Sequence, residues 1–384
     1  MSIIEIRGVW LTTTGSKVFD SRENIVEAMD FLANTGFNVV FPVVWNKAAT
    51  QFPSQVMQQN FGVEINPQYR GRDVLAEVIT EAHRVGLKVI PWFEYGFASS
   101  YNSNGGMLLA KKPQWAARDC KGNLLNKNGF EWLNALDSEV QDFLLSLILE
   151  VVNNYDVDGI QGDDRLPALP SEGGYDNVTI ERYKREFGKN PPQNCKDGQW
   201  LQWRANILTD FLARLYKEVK AVNNNLLVSI APNIHDWALK EYLQDSQTWL
   251  ERGLVDIINP QIYRRDFNSY KSIVDRLVKQ QFTDNNRVRL APGVLMKLGS
   301  YNISPDYLLQ LIEYNRACGI KGEVFFFYEG LRDNNNALAK VLKQKYYANS
   351  ANFPCLQDLN QGNEIKEEIV REKRGLFGFF KNLF

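Results

Sequence analysis

Histidine is nearly missing from this chain: His83 and His235 are the only two in 384 residues, so a histidine-rich metal centre is excluded. Any histidine-dependent triad would have to rest on one of them, and His83 sits inside the helical pattern Glu81-Ala82-His83-Arg84, where it reads as structural. Cysteine is sparse as well. Cys120, Cys195, Cys318 and Cys355 are widely separated and show none of the paired spacings of a zinc site or a redox dithiol. There is no excess of one charge: the formal net charge of -1 gives no electrostatic reason to expect a nucleic-acid partner. No apolar run approaches the roughly 20 residues of a spanning helix. The opening Met1-Ser2-Ile3-Ile4-Glu5-Ile6-Arg7 lacks the basic region, apolar core and small-residue cleavage site of a signal peptide, so a cytoplasmic location is expected.

What the chain has is apolar and aromatic material. Hydrophobic residues make up 44% of it, enough for a substantial core, and 9 Trp, 16 Tyr and 22 Phe suit either core packing or flat surfaces for sugar rings. Strand patterns at 6–14, 38–46, 88–96, 159–163, 226–233, 255–263, 288–296 and 322–329 alternate with amphipathic helical patterns. The helices fall near 22–35, 73–86, 137–154, 199–223, 236–252, 268–281, 304–318 and 332–346. Ser21, Asp73, Asp137 and Ser304 fit N-caps, and Gly36, Gly86, Gly253 and Gly319 sit where helices end in a left-handed residue. Such alternation, with no break in composition, predicts an α/β fold: a single (β/α)8 TIM barrel over 1–346. An open doubly wound sheet would carry a glycine-rich phosphate turn after its first strand, and Thr12-Thr13-Thr14-Gly15-Ser16 is not one, so no nucleotide cofactor is expected. No oxygen-ligand loop for a metal is apparent either.

Three connections on the strand-to-helix side are long, at 47–72, 97–136 and 165–198, after strands 2, 3 and 4, where barrel enzymes build their sites. Residues 347–384 change character and are expected to be a linker with a charged, amphipathic C-terminal tail. Within it, 375–384 is apolar with basic flanks, which suits either peripheral membrane contact or packing on the barrel or a partner.

The run Tyr155-Asp156-Val157-Asp158-Gly159-Ile160-Gln161-Gly162-Asp163-Asp164-Arg165 reads as a short buried strand ending in carboxylates and a guanidinium. Side chains alternate along a strand, so Gln161 and Asp163 share the face opposite Ile160, and Asp163 is expected at a polar mouth. By the same parity Trp92 and Glu94 come to that rim from the third strand, Asn233 from the fifth, and Asn259, Gln261 and Tyr263 from the sixth. Trp10, Trp45 and Glu329 are placed there from the first, second and eighth. Acids at strand ends among aromatic rings and amide donors best suit glycoside hydrolysis, which needs one carboxyl to protonate the leaving oxygen and another to attack or activate water. Arg165 is expected to keep Asp163 ionised, while the apolar neighbours of Glu94 are expected to keep it protonated. Asp164 is either the acid or an orienting residue. The aromatic and amide residues, with Arg165 and Glu329, would bind the substrate, a polysaccharide or oligosaccharide; each also has a plain packing role open to it. A non-catalytic carbohydrate-binding barrel, possibly membrane-associated, is the competing reading, and a lyase or isomerase on the same scaffold a weaker one.

Several segments, in order, resemble one family: Arg7-Gly8-Val9-Trp10-Leu11-Thr12, Phe52-Pro53-Ser54, Glu81-Ala82-His83-Arg84-Val85-Gly86-Leu87, Pro91-Trp92-Phe93, Asn153 to Ile160 with Asp163-Asp164, and Asn259-Pro260-Gln261-Ile262-Tyr263. Together, over roughly residues 5 to 330, they are similar to the bacterial glycosyl-hydrolase-like family ten. The resemblance implies a barrel hydrolase acting on polysaccharide, with peptidoglycan glycan as an associated substrate class, and an essential acid at Asp163 or Asp164. The chain departs from the family pattern at Phe41-Pro42-Val43-Val44-Trp45, where a Gln and an Arg are usual, and at Glu94, where an Asn is usual.

Overall fold

The computed structural model describes residues 3–283 and 286–360. The segment expected to form an amphipathic tail, 375–384, lies outside the described residues.

Eight short strands carry the eight predicted segments: β1 (Ile6–Leu11), β2 (Val39–Pro42), β3 (Lys88–Val89), β4 (Gly159–Gly162), β5 (Leu227–Ile230), β6 (Ile257–Ile258), β7 (Gly293–Leu295) and β8 (Gly322–Phe326). They form two parallel ladders, one in the order β7-β8-β1-β2-β3 and the other β4-β5-β6. Single parallel bridges join the two at both ends, Trp92 with Gln161 on one side and Ile258 with Leu290 and Gln261 with Gly293 on the other. The paired stretches are shorter than the sequence pattern suggests, because Pro91, Pro260 and Pro292 have no N–H to donate. Their carbonyls still serve the next strand, accepting from Gln161 N, Gly293 N and Val324 N at 2.8–3.0 Å.

The helices pack an apolar face against these strands and are capped as the sequence predicts. Ser21, Asp73, Asp137 and Ser304 each accept from a backbone N–H of the first turn, and Gly36, Gly86, Gly253 and Gly319 all have positive φ. Two expectations change. The helix anticipated over 236–252 is two helices, His235–Tyr242 and Ser246–Glu251, because Asp245 caps the second by accepting from Thr248 N. The last helix has a short first segment from Tyr328 and is broken at Asp333 to Asn336, whose backbone is not helical, before it resumes within the anticipated range.

The amino ends of the strands are tied by a repeated device. Asn38, Asp158 and Asp256, each just before a strand, accept from Arg7 N, Val89 N and Val228 N of the neighbouring strand at 2.8–2.9 Å. Such charge-assisted or amide bonds to an otherwise unpaired N–H fix register where each strand begins. His83 belongs to this end, 3.1 Å from Asp158 Oδ2. Residues 347–360 also pack here, where a linker was expected: Ala351–Asn352 pairs in parallel with Ile3–Ile4, and buried Tyr347 donates its hydroxyl to Glu323 Oε1. Among the described residues no helix is long and apolar enough to cross a membrane.

Candidate active site

At the carboxyl end of β4 the chain turns so tightly that Asp163 N donates to Leu166 O while Leu166 N donates to Asp163 O, both at 3.1 Å. Only glycine fits before this turn, since a Cβ on Gly162 would stand 2.3 Å from Leu166 O. The turn presents Asp163, Asp164 and Arg165 together. A second loop, following β3, locks onto it: Phe97 N donates to Arg165 O, and Gly96, at φ 47°, lies so close that a Cβ would be 2.2 Å from the same oxygen. That contact sets Glu94 beside the turn.

Arg165 organises the acids. Its Nη1 lies 3.0 Å from Asp164 Oδ1, and its Nη2 lies 3.6 Å from both Asp163 Oδ2 and Glu94 Oε1. The latter two oxygens therefore stand no more than twice that distance apart. Trp92 Nε1 donates to Asp163 Oδ2 at 2.7 Å, and Asp164 N donates to the other carboxyl oxygen. Asn46 donates to Glu94 Oε2, and Asn233 Nδ2 reaches Asp164 Oδ2 at 3.4 Å. Gln244 Nε2 supports the turn from below through the carbonyls of Asp163 and Pro167.

These groups open on a cavity of about 210 Å³ walled by Trp10, Trp92, Ala231, Gln261, Tyr263, Leu295, Leu298 and Phe326. Asp163 is 1% exposed, whereas the side chains of Glu94 and Asp164 keep 19% and 24% of their surface. Burial, with the like charge of Asp164 beside it, pushes the Asp163 carboxyl well above the ordinary range, and Arg165 offsets only part of this. Arg165 thus draws the Asp163 carboxyl down less than its adjacency in sequence suggests, because a 1% exposed group loses more solvation than one shared cation returns. Burial likewise raises Glu94, as expected, against the opposing pull of Arg165 and Asn46. Arg165 itself is held charged: burial works against the cation, but its three carboxylates outweigh it. Burial and the same acids push the Tyr263 phenol far up, so it acts as a neutral donor.

Of the residues anticipated from sequence, Asp163, Asp164, Glu94, Arg165, Trp10, Trp92, Gln261 and Tyr263 meet at the cavity, and Asn233 reaches it through Asp164. Two do not. Trp45 is buried beneath the loop, packed edge-on to Phe143 and donating its Nε1–H to Gly96 O, because β2 has already ended at Pro42. Glu329 falls in the first turn of the last helix and accepts from Ser16 Oγ at 2.6 Å instead of facing the cavity. Three contributors carry no readable mark. Phe326 sits in the uniformly apolar run Val324-Phe325-Phe326-Phe327, while Asn46 and Gln244 lie in loops whose direction only the fold defines.

The family model described as glycosyl hydrolase-like 10 matches residues 5–308. The chain belongs to this family. The chain is similar to glycosyl hydrolase DigH of Escherichia coli (strain K12), 25% identical over 350 residues, covering 79% of this chain and 76% of DigH. Glycosyl hydrolase YngK of Bacillus subtilis (strain 168) is 22% identical over 407 residues, covering 96% of the chain and 76% of YngK. In fold, this glycosyl hydrolase-like 10 member is similar to the PgaB (BpsB) glycoside hydrolase domain from Bordetella bronchiseptica, with TM-score 0.65 and 14% identity over 88% of this chain and 99% of that one. It is also similar to the catalytic domain of a Paenibacillus polymyxa β-amylase, with TM-score 0.64 and 12% identity over 91% and 99%. At these identities the structural likeness concerns the fold.

Proposed function

We propose that the chain is a glycoside hydrolase on a closed (β/α)8 barrel, cleaving O-glycosidic bonds of a polysaccharide such as peptidoglycan-type glycan. The parallel bridges at both ends of the two ladders support closure, since a sheet joined to itself at each edge has no free edge left. The observation that carries the function is the meeting of Asp163, Asp164 and Glu94 around one guanidinium, in a cavity walled by aromatic rings.

Glu94, raised by burial and in contact with the cavity, is the proton donor to the leaving oxygen. Asp163 and Asp164, both beside Arg165, share the opposing role: one of them attacks the anomeric carbon or draws a proton from water. Arg165 lets the pair hold a negative charge in a buried place, and Tyr263 and Gln261 offer donors to sugar hydroxyls. The test is release of new reducing ends from glycan strands isolated from peptidoglycan. Wild type produces them and Asp163→Asn slows release by about 10²–10⁴; undiminished turnover by a folded variant would overturn the proposal.

A further inference from the structure

Large apolar side chains are rarely left exposed on this fold, and their placement is uneven. Among the described residues three of the six exposed large apolar side chains, Tyr101 (51%), Trp237 (49%) and Leu298 (53%), lie in the stretches that follow the carboxyl ends of β3, β5 and β7. The two aromatic ones end a row of rings built from two groups that meet on the strand Phe130–Trp132. Tyr101 packs on Phe130 with centroids 5.0 Å apart. Phe130 carries Arg165 over its ring at 4.8 Å and shares a strand face with Trp132 two residues on. Trp132 meets Tyr242 at 6.0 Å, and Tyr242 meets Trp237 at 5.3 Å. Asn128 fastens the junction by donating to the Tyr242 hydroxyl at 3.1 Å. Through Phe130 the row touches Arg165, the cation that the three acids share.

Inner members of the row are covered, so their packing explains them. Packing does not explain the outer two, which present about half of their surface to water. Flat rings left in water cost solvation unless something covers them, and the C–H faces of pyranose rings are a matching apolar surface.

We propose that Trp237 and Tyr101 are outer sugar platforms, each stacking a ring of the same polysaccharide beyond the one held in the cavity, so that long chains are preferred over short ones. This rests on reading the cavity as a sugar site and extends it to the length of the substrate.

The experiment compares kcat/KM on glycan strands isolated from peptidoglycan with kcat/KM on the tetrasaccharide cut from them. Trp237→Ala and Tyr101→Ala should each lower the ratio of long-strand to tetrasaccharide values about tenfold, through KM for the long strands, with Trp237→Phe and Tyr101→Phe restoring it. In parallel, the full chain carrying Asp163→Asn is run in gels containing the same strands, where adding Trp237→Ala should release its retardation. Cleavage with an unchanged ratio in both alanine variants would overturn the platforms while leaving the hydrolase reading intact. Retardation that depends on Trp237 without any cleavage by wild type would support the platforms and end the hydrolase reading. Neither cleavage nor retardation would overturn both.

Discussion

Replacing Asp163 by Asn removes a carboxyl that the fold holds against its ordinary titration, and the resulting stability difference should change sign with pH. Because burial and Asp164 raise Asp163 well above the ordinary carboxylate range, the folded chain binds more protons than the unfolded one between the ordinary value and the folded one. By linkage, the stability this group contributes falls as pH rises through that window. Asparagine does not titrate there. The variant should therefore gain on wild type by about 1.4 kcal/mol for each pH unit of the window. A hydrogen-bond loss opposes the gain. Trp92 Nε1–H and Asp164 N–H each donate to a different oxygen of Asp163, and an amide offers only one acceptor, leaving a buried donor unmet at about 1–3 kcal/mol. Wild type is expected to be the more stable protein near pH 4, the two to cross about one to two units higher, and the variant to be the more stable at neutral pH. Urea unfolding from about pH 4 to pH 8 measures the difference directly. A difference that stays flat, or that grows in favour of wild type as pH rises, would mean that Asp163 is an ordinary ionised carboxylate.

The other acids and the loop that carries them give sharper local tests. Glu94→Gln should cut turnover about 10²–10⁴ and remove the alkaline limb of the pH profile, since a donor raised by burial works only while protonated; an intact alkaline limb would count against it. Arg165→Met deletes the cation that all three carboxyls share, so both limbs of the kcat/KM profile should move up by about 1–3 pH units, and limbs that stay in place would refute its electrostatic role. Arg204, fully buried, donates to the carbonyls of Ser171, Gly173 and Cys195 at 2.5–2.6 Å. Arg204→Met should cost about 2–4 kcal/mol in denaturant unfolding and expose 171–195 to proteolysis, and unchanged cleavage there would show that the loop stands without it.

How far the sequence could be read depended on whether a local pattern had one meaning. Alternating strand and helix periods, with Ser21, Asp73, Asp137 and Ser304 at helix starts, are set by neighbours three or four residues away, and the structure keeps them. Parity along strands placed Asp163, Glu94, Gln261 and Tyr263 correctly, because a strand covered by helices on one face has only one side for polar groups. The same rule misled at Trp45, which enters a short antiparallel hairpin with Thr50, and at Glu329, which falls in a helix. The upward shift of the Asp163 carboxyl was not readable at all. Adjacent Arg165 suggests a stabilised charge, but depth decides the matter, and depth comes from residues such as Trp92 and Tyr263 that are remote in the chain.

What holds the acids in place lies one layer beneath them. Trp10 Nε1 donates to Gln161 Oε1 at 2.6 Å, and Gln161 Nε2 donates to Ser229 Oγ and Asn259 Oδ1, both at 2.9 Å. Ser229 in turn donates to Asn259 Oδ1, and Asn259 Nδ2 donates to Ala291 O. Every donor and acceptor of the Gln161 amide is thereby used, from side chains on β1, β5 and just beyond β6. A buried network that is fully satisfied admits one arrangement, whereas a half-satisfied one costs more than an apolar core. Gln161 and Asp163 share a strand face, so sliding β4 by one residue would carry both away from the interior at once. The slide would leave Trp10, Ser229 and Asn259 without their partner, and the penalty of several unmet buried groups falls on any register but the one that presents Asp163 to the cavity. Position of the acids is therefore enforced by the hydrogen-bonded layer beneath them, which is why amides and a hydroxyl, and not further aliphatic side chains, occupy it.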